Sequence, residues 1–180
     1  MVKRYIKKMK GEGRSAPRIP HIEIFWSWLG SFLGIAAVAS LHWRWAEGND
    51  LVMIIGSFGA SAVLLYGAID APLSQPRNLI GGHFLSALVG VTCFQWVGFE
   101  PILASALAVS LAIALMQATK TLHPPGGATA LIAVIGSSKI HDLGYLYALI
   151  PALSGALVML IVALVVNNLA HTRSYPRHWL

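Results

Sequence analysis

The sequence predicts an all-α, polytopic membrane protein, and three observations predict it. First, 56% of the 180 residues are hydrophobic and 11% are charged, where a soluble domain carries roughly 25% charged residues. Second, the apolar residues gather into six segments, 24–41, 51–69, 79–98, 101–118, 126–136 and 145–166. Third, the net charge of +6 is concentrated near the N-terminus. The reading is one membrane domain, 23–168, of about six transmembrane or half-membrane helices. A basic tail, 1–22, precedes it and a short tail, 169–180, follows.

Residues 1–22 carry Lys3, Arg4, Lys7, Lys8, Lys10, Arg14 and Arg18 against one early acid, Glu12. A basic arm ahead of an apolar helix marks the cytoplasmic face of a bilayer rather than a nucleic-acid contact. It is not a signal peptide, because a long polar stretch separates the chain start from the first apolar run. A span needs about 20 apolar residues, within a range of about 17–25. Five segments qualify. The fifth in order, 126–136, is too short unless 119–125 also lies at membrane depth. Six crossings place eleven Lys and Arg inside and two outside, whereas four crossings give nine and four. The positive-inside rule favours six, and both arrangements put both termini in the cytoplasm. The single cysteine, Cys93, sits in an apolar run and reads as lipid- or core-facing filler.

The chain also repeats itself. At an offset of 68 residues, Gly59-Ala60-Ser61-Ala62 falls on Gly127-Ala128-Thr129-Ala130, and Leu85-Ser86 on Leu153-Ser154. The offset pairs segment two with five and three with six. Two units follow, about 23–98 and 99–168. Three crossings in each would invert the second unit relative to the first, a common transporter plan.

In that plan the site lies where matching segments are interrupted by Gly and Pro. IIGSFGASA (54–62) and TLHPPGGATA (121–130) are such a pair. Beyond each break a helix resumes. Pro124 or Pro125 suits its first position, with Ser57 and His123 as caps. Two helix starts facing one cavity would offer N–H groups and a partial positive charge to an anion. Ser57, Gly59, Ala60 and Ser61 would line one side, and His123, Gly126, Gly127 and Thr129 the other. The competing reading of GSFGASA is close helix packing.

His83 and His123 are the histidines placed near or within the spans, and an intramembrane ionisable group is a functional candidate. No carboxylate or cysteine stands at ligand spacing from them, so no metal is expected. Gln75, Arg77, Asn78, His83 and Lys120 form the expected vestibule. The seven acids fall in tails, connections or segment edges. No carboxylate pair, phosphate loop or nucleophile constellation is visible, so neither an enzyme nor a cofactor is expected.

GSFGASAVLLYG, QPRN, GGH and HPPGGATAL, in this order, resemble the HPP family of small integral membrane proteins, named for His123-Pro124-Pro125. The resemblance covers roughly residues 24–168. It implies membrane transport, because plant members of the chloroplast envelope are assigned nitrite transport. It also suggests a bacterial inner membrane, where other members occur. Some bacterial members add CBS domains, and none is expected here. The family is commonly described with four spans against the six segments here, and the difference concerns segments two and five. The expected function is passage of a small inorganic anion, nitrite first, by a homodimer in the lipid bilayer. The alternative is a structural or sensory module that binds a lipid or protein partner and moves nothing.

Overall fold

The computed structural model describes residues 2–9, 15, 17–46 and 53–180, and among them every regular element is helical. α1 is Val2–Met9. α2, His21–Leu41, continues through a wider turn, His42–Ala46. α3, Ser57–Ala62, continues likewise through Val63–Gly67. Then come α4 (Pro76–Val97), α5 (Pro101–Ala118), α6 (Pro124–Ile135) and α7 (Ser138–Asp142). The irregular turn Ala148–Leu153 leads into α8, Ser154–Leu169. Proline opens α4, α5 and α6, where its missing N–H removes nothing from the helical ladder.

Among the described residues, four stretches are long and apolar enough to cross a membrane: His21–Ala46, Pro76–Val97, Pro101–Ala118 and Ala148–Leu169. Ser57–Gly67 and Pro124–Ile135 are apolar but short. At about 1.5 Å per residue each is roughly 16–18 Å long, little more than half of a ~30 Å hydrocarbon core. Segment two, expected to be long enough to span, is therefore a half-length helix. Its helix begins only at Ser57, and Ala68 leaves helical geometry with φ −136° and ψ 52°.

Contacts fix how the short helices run. Gly126 meets Gly82 and Ser86, and Ala130 meets Gly90, so α6 ascends beside α4 in the same direction. Phe58 meets Gly155, and Asn167 donates to Leu65 O at 2.9 Å, so α3 runs with α8. The three-residue link 98–100 makes α5 antiparallel to α4. Non-helical approaches, 53–55 and 121–123, precede the two short helices.

Small residues set the spacing. On α4, Gly82, Ser86 and Gly90 are four apart and face α6. A Cβ at Gly82 would overlap the His123 side chain, and one at Gly90 would overlap the Ala130 carbonyl. On α5, Ala104, Ala108 and Ala112 are fully buried and pack with Cys93 and Ala130. This is the close approach that small residues permit between membrane helices, and it seats Cys93 in the core. Tyr66 lies against Gly30 and Gly34 of α2 and donates to Met159 O of α8 at 3.0 Å. Large apolar side chains such as Trp28, Phe32, Leu111, Ile161 and Val165 cover the outside. Exposed Trp43, Trp45, Trp96 and Phe99 gather at the end where α2 finishes and α4 meets α5, as an interfacial aromatic belt does.

Residues 170–180, all but the first of the tail expected at 169–180, are strapped to the opposite end. The side chain of Arg173, 3% exposed, pairs with Glu23 Oε2 at 2.7 Å. It also donates to Glu23 O, Ser27 Oγ, Tyr66 O and Asn167 Oδ1. Tyr175 is buried and donates to Ser74 O at 2.8 Å. A guanidinium with five donors can tie several chain segments at once, a role that a lone Arg in a tail does not announce.

Candidate functional site

The two broken segments meet. Ser61 on α3 and Thr129 on α6 are 68 positions apart in sequence, and they hold opposite nitrogens of one ring, His83 of α4. Ser61 Oγ is 2.7 Å from His83 Nε2, and Thr129 Oγ1 is 2.7 Å from His83 Nδ1. Ser61 Oγ is also 2.9 Å from His123 Nε2. His123 Nδ1 lies 2.8 Å from Leu73 O, in the turn between α3 and α4. Thr129 Oγ1 lies 2.9 Å from Ser57 Oγ and 3.2 Å from Pro125 O. The two imidazoles sit edge to face, with centroids 5.1 Å apart. Ser61, His83, His123 and Thr129 are wholly buried, and Ser57 nearly so. Every buried side-chain nitrogen or oxygen among the described residues has a partner.

The protons in this chain are forced. A carbonyl only accepts, so His123 Nδ1 carries a hydrogen for Leu73 O. A neutral His123 then has a bare Nε2, and Ser61 must donate to it. Ser61 has one proton, so it accepts from His83 Nε2–H. Neutral His83 then has a bare Nδ1, which takes the Thr129 proton. Ser57 Oγ and Pro125 O are the other acceptors within reach of the Thr129 hydroxyl. The neutral chain therefore points one way, from Thr129 to Leu73.

Of the two expected caps, Ser57 is displaced and His123 holds its position without a capping bond from its side chain. Gly56 caps α3, with Ser57 already inside the helix and bonded to Thr129. His123 holds the cap position of α6, but its ring turns to Ser61 and Leu73 instead of the helix start. The helix start itself has little to offer a ligand. Pro124 and Pro125 have no N–H, and Gly126 N donates to His123 O at 2.8 Å.

The remaining expected residues divide by face. Gly126 packs on α4 beside Ser86. Gly59 and Ala60 are exposed on the far side of α3. Gly127 opens toward Val109, in an apolar groove between α5 and α6 also lined by Ile113, Pro124 and Leu131. Gln75, Arg77 and Asn78 are clamps. Gln75 donates to Ile69 O and Ala71 O and accepts from Arg177 N–H. Arg77 and Asn78 donate to Thr119 O and Leu122 O, each at 2.8 Å. They fix the turn and the approach that carry Leu73 and His123. Lys120 is exposed, with a left-handed φ of 57°. Leu73 and Tyr147, which donates to Thr129 O at 3.0 Å, were not foreseen. A backbone carbonyl leaves no sequence signal, and one Tyr among five has none either.

The model of the HPP transmembrane region matches residues 16–176. Two proteins of Dictyostelium discoideum, both named simply as transmembrane proteins, are similar along nearly the whole chain. One is 52% identical over 97% of this chain and 63% of its own length. The other is 48% identical over 97% of this chain and 57% of its own length. The chain thus spans about three fifths of the curated relatives it matches. No solved structure matches. With the family model covering nearly all of the membrane part and the His123-Pro124-Pro125 break at the centre of its polar network, the chain belongs to the HPP family of integral membrane proteins.

Proposed function

We propose that this membrane protein moves a small inorganic anion, nitrite first, through a site that forms where α3 and α6 meet. One observation carries the reading: two half-length helices converge with α4 on a buried histidine pair. Interrupted helices and ionisable groups at membrane depth are how transporters build central sites. The substrate comes from the family resemblance, not from the geometry. The two units at an offset of 68 residues are read as an inverted repeat, supported by Ser61 and Thr129 gripping one ring from two sides.

Both termini are placed in the cytoplasm, on the charge distribution. The relatives are eukaryotic, so the bacterial inner membrane gains no support from them. A homodimer is placed on the exposed small-residue face of α3, at Gly56, Gly59, Ala60 and Gly67. Cross-linking of cysteines introduced there would test it.

A non-transporting structural module is favoured by a different observation, the complete hydrogen bonding of the network. Nitrite uptake into proteoliposomes separates the two. Saturable uptake above that of protein-free vesicles supports transport. Its absence in correctly folded protein supports the module.

A further inference from the structure

We propose that the His83–Ser61–His123 bridge binds one proton as the counter-charge of the anion, so that proton and anion move together. The inference rests on the transport reading above. An anion at membrane depth needs a positive partner, and the start of α6 supplies none. The nearby charged side chains do not supply it: Asp70 pairs with Arg177, Arg77 donates to Thr119 O, and Lys120 is exposed rather than buried with the rings. The two rings face each other, Phe58, Ser61, Thr129 and the Leu73 carbonyl. Tyr147, the other titratable group on this seam, donates to Thr129 O. The positive charge must therefore come from the histidines.

The network is built to take that proton without losing a bond. When His83 Nδ1 gains a hydrogen it donates to Thr129 Oγ1, and the Thr129 hydroxyl swings to Pro125 O, 3.2 Å away. The proton passes onward by exchange. His83 Nε2 gives its hydrogen to Ser61 as Ser61 gives its own to His123 Nε2. The N–H and O–H bonds broken and formed are equal in number, and Ser61 ends unchanged. His123 is then the imidazolium, still bonded to Leu73 O, and His83 keeps one hydrogen. Two positive rings 5.1 Å apart would repel strongly in a buried site, so the pair holds one proton at a time. One proton against one monovalent anion makes the coupled step electroneutral.

Two measurements test this. In bicelles, the ring nitrogens of ¹⁵N-histidine protein, assigned through His83→Gln and His123→Gln, are followed over about pH 4–8. The expected result is hydrogen on Nε2 of His83 and on Nδ1 of His123 at the upper end, then uptake of a single shared proton. Sodium nitrite should move that uptake to higher pH, because linkage makes the coupling reciprocal. In proteoliposomes with a trapped pH dye, nitrite uptake should acidify the lumen beyond the leak of protein-free vesicles. Ser61→Ala should lower the ratio of protons to nitrite roughly tenfold or more, as loss of a positioned proton carrier does, and Ser61→Thr should restore it. Nitrite uptake without acidification in the wild type overturns the coupling and leaves transport standing. Proton uptake by the rings with no nitrite flux overturns the transport reading and the coupling, leaving a proton site alone. Rings that stay neutral throughout, or that titrate independently of each other, overturn the shared site itself.

Discussion

Phe58 lays its ring against the bare Cα of Gly155, so that a Cβ on Gly155 would overlap two carbons of the ring. This contact brings α3 within reach of α8 one turn before Ser61 meets the histidines. Gly155→Ala should therefore destabilise the fold by about 1–3 kcal/mol, the usual cost of overpacking. Phe58→Leu in the same chain should recover part of the loss, since contacting residues are not additive. Thermal unfolding in detergent reads both. An unchanged midpoint for Gly155→Ala would place the helices farther apart than described.

Thr129→Val keeps the shape of the side chain and removes the hydroxyl. His83 Nδ1 then has no donor in a dry site, which costs about 1–3 kcal/mol. Thr129→Ser should keep most of the stability. A Val variant as stable as the Ser variant would show that the hydroxyl does not serve the ring.

Lys120 separates charge from conformation. Its φ of 57° is the left-handed region, which a β-branched side chain enters at a cost of roughly 1–2 kcal/mol. Lys120→Ile should lower the unfolding midpoint, and Lys120→Asn should not. If the ammonium draws anions to the mouth, the folded Asn variant should show a raised KM for nitrite at low salt and little difference at high salt. Equal KM values at both salt levels would make Lys120 a purely topological charge.

Burial pushes the Tyr175 phenol above its ordinary value near 10. A raised folded-state value means that the neutral phenol is the form that stabilises the strap. Its contribution is fully present below about pH 10 and is lost as pH rises toward the folded-state value. Release of the C-terminal strap should begin only above about pH 10, seen as tyrosinate absorbance together with protease cutting after Arg173 or Arg177. Cutting at neutral pH at the same rate would mean that the strap is not held by Tyr175.

Much of this was legible in the sequence because the physics that wrote it is crude. Apolar length marks five segments as long enough to span, of which four are so in the structure; Pro and Gly mark the breaks, and a repeated GASA/GATA quartet pairs them. Ser61, His83, His123 and Thr129 stand out as polar groups where polarity is costly. Faces are what the sequence left open. Gly126 and Gly127 are neighbours with the same chemistry, yet a rotation of about 100° turns one to α4 and the other to the α5 groove. The helix-start reading also counted N–H groups that two prolines delete. The Arg173 anchorage was illegible because its partners lie about 150 residues away, at Glu23, and on backbone carbonyls.

The placement of Tyr66, Phe58 and Ser61 has a consequence for any attempt to divide the molecule. Each belongs to the segment before the 98–100 link, and each has partners beyond it, in Met159, Gly155 and His123. Neither fragment completes its interior alone. Expressed alone, each would carry stranded hydroxyls and imidazoles into lipid, where quality-control proteases act on such groups. Co-expressed, the two should find each other and reassemble, with the missing peptide bond at residues 98–100 costing the complex little beyond the entropy of a second chain.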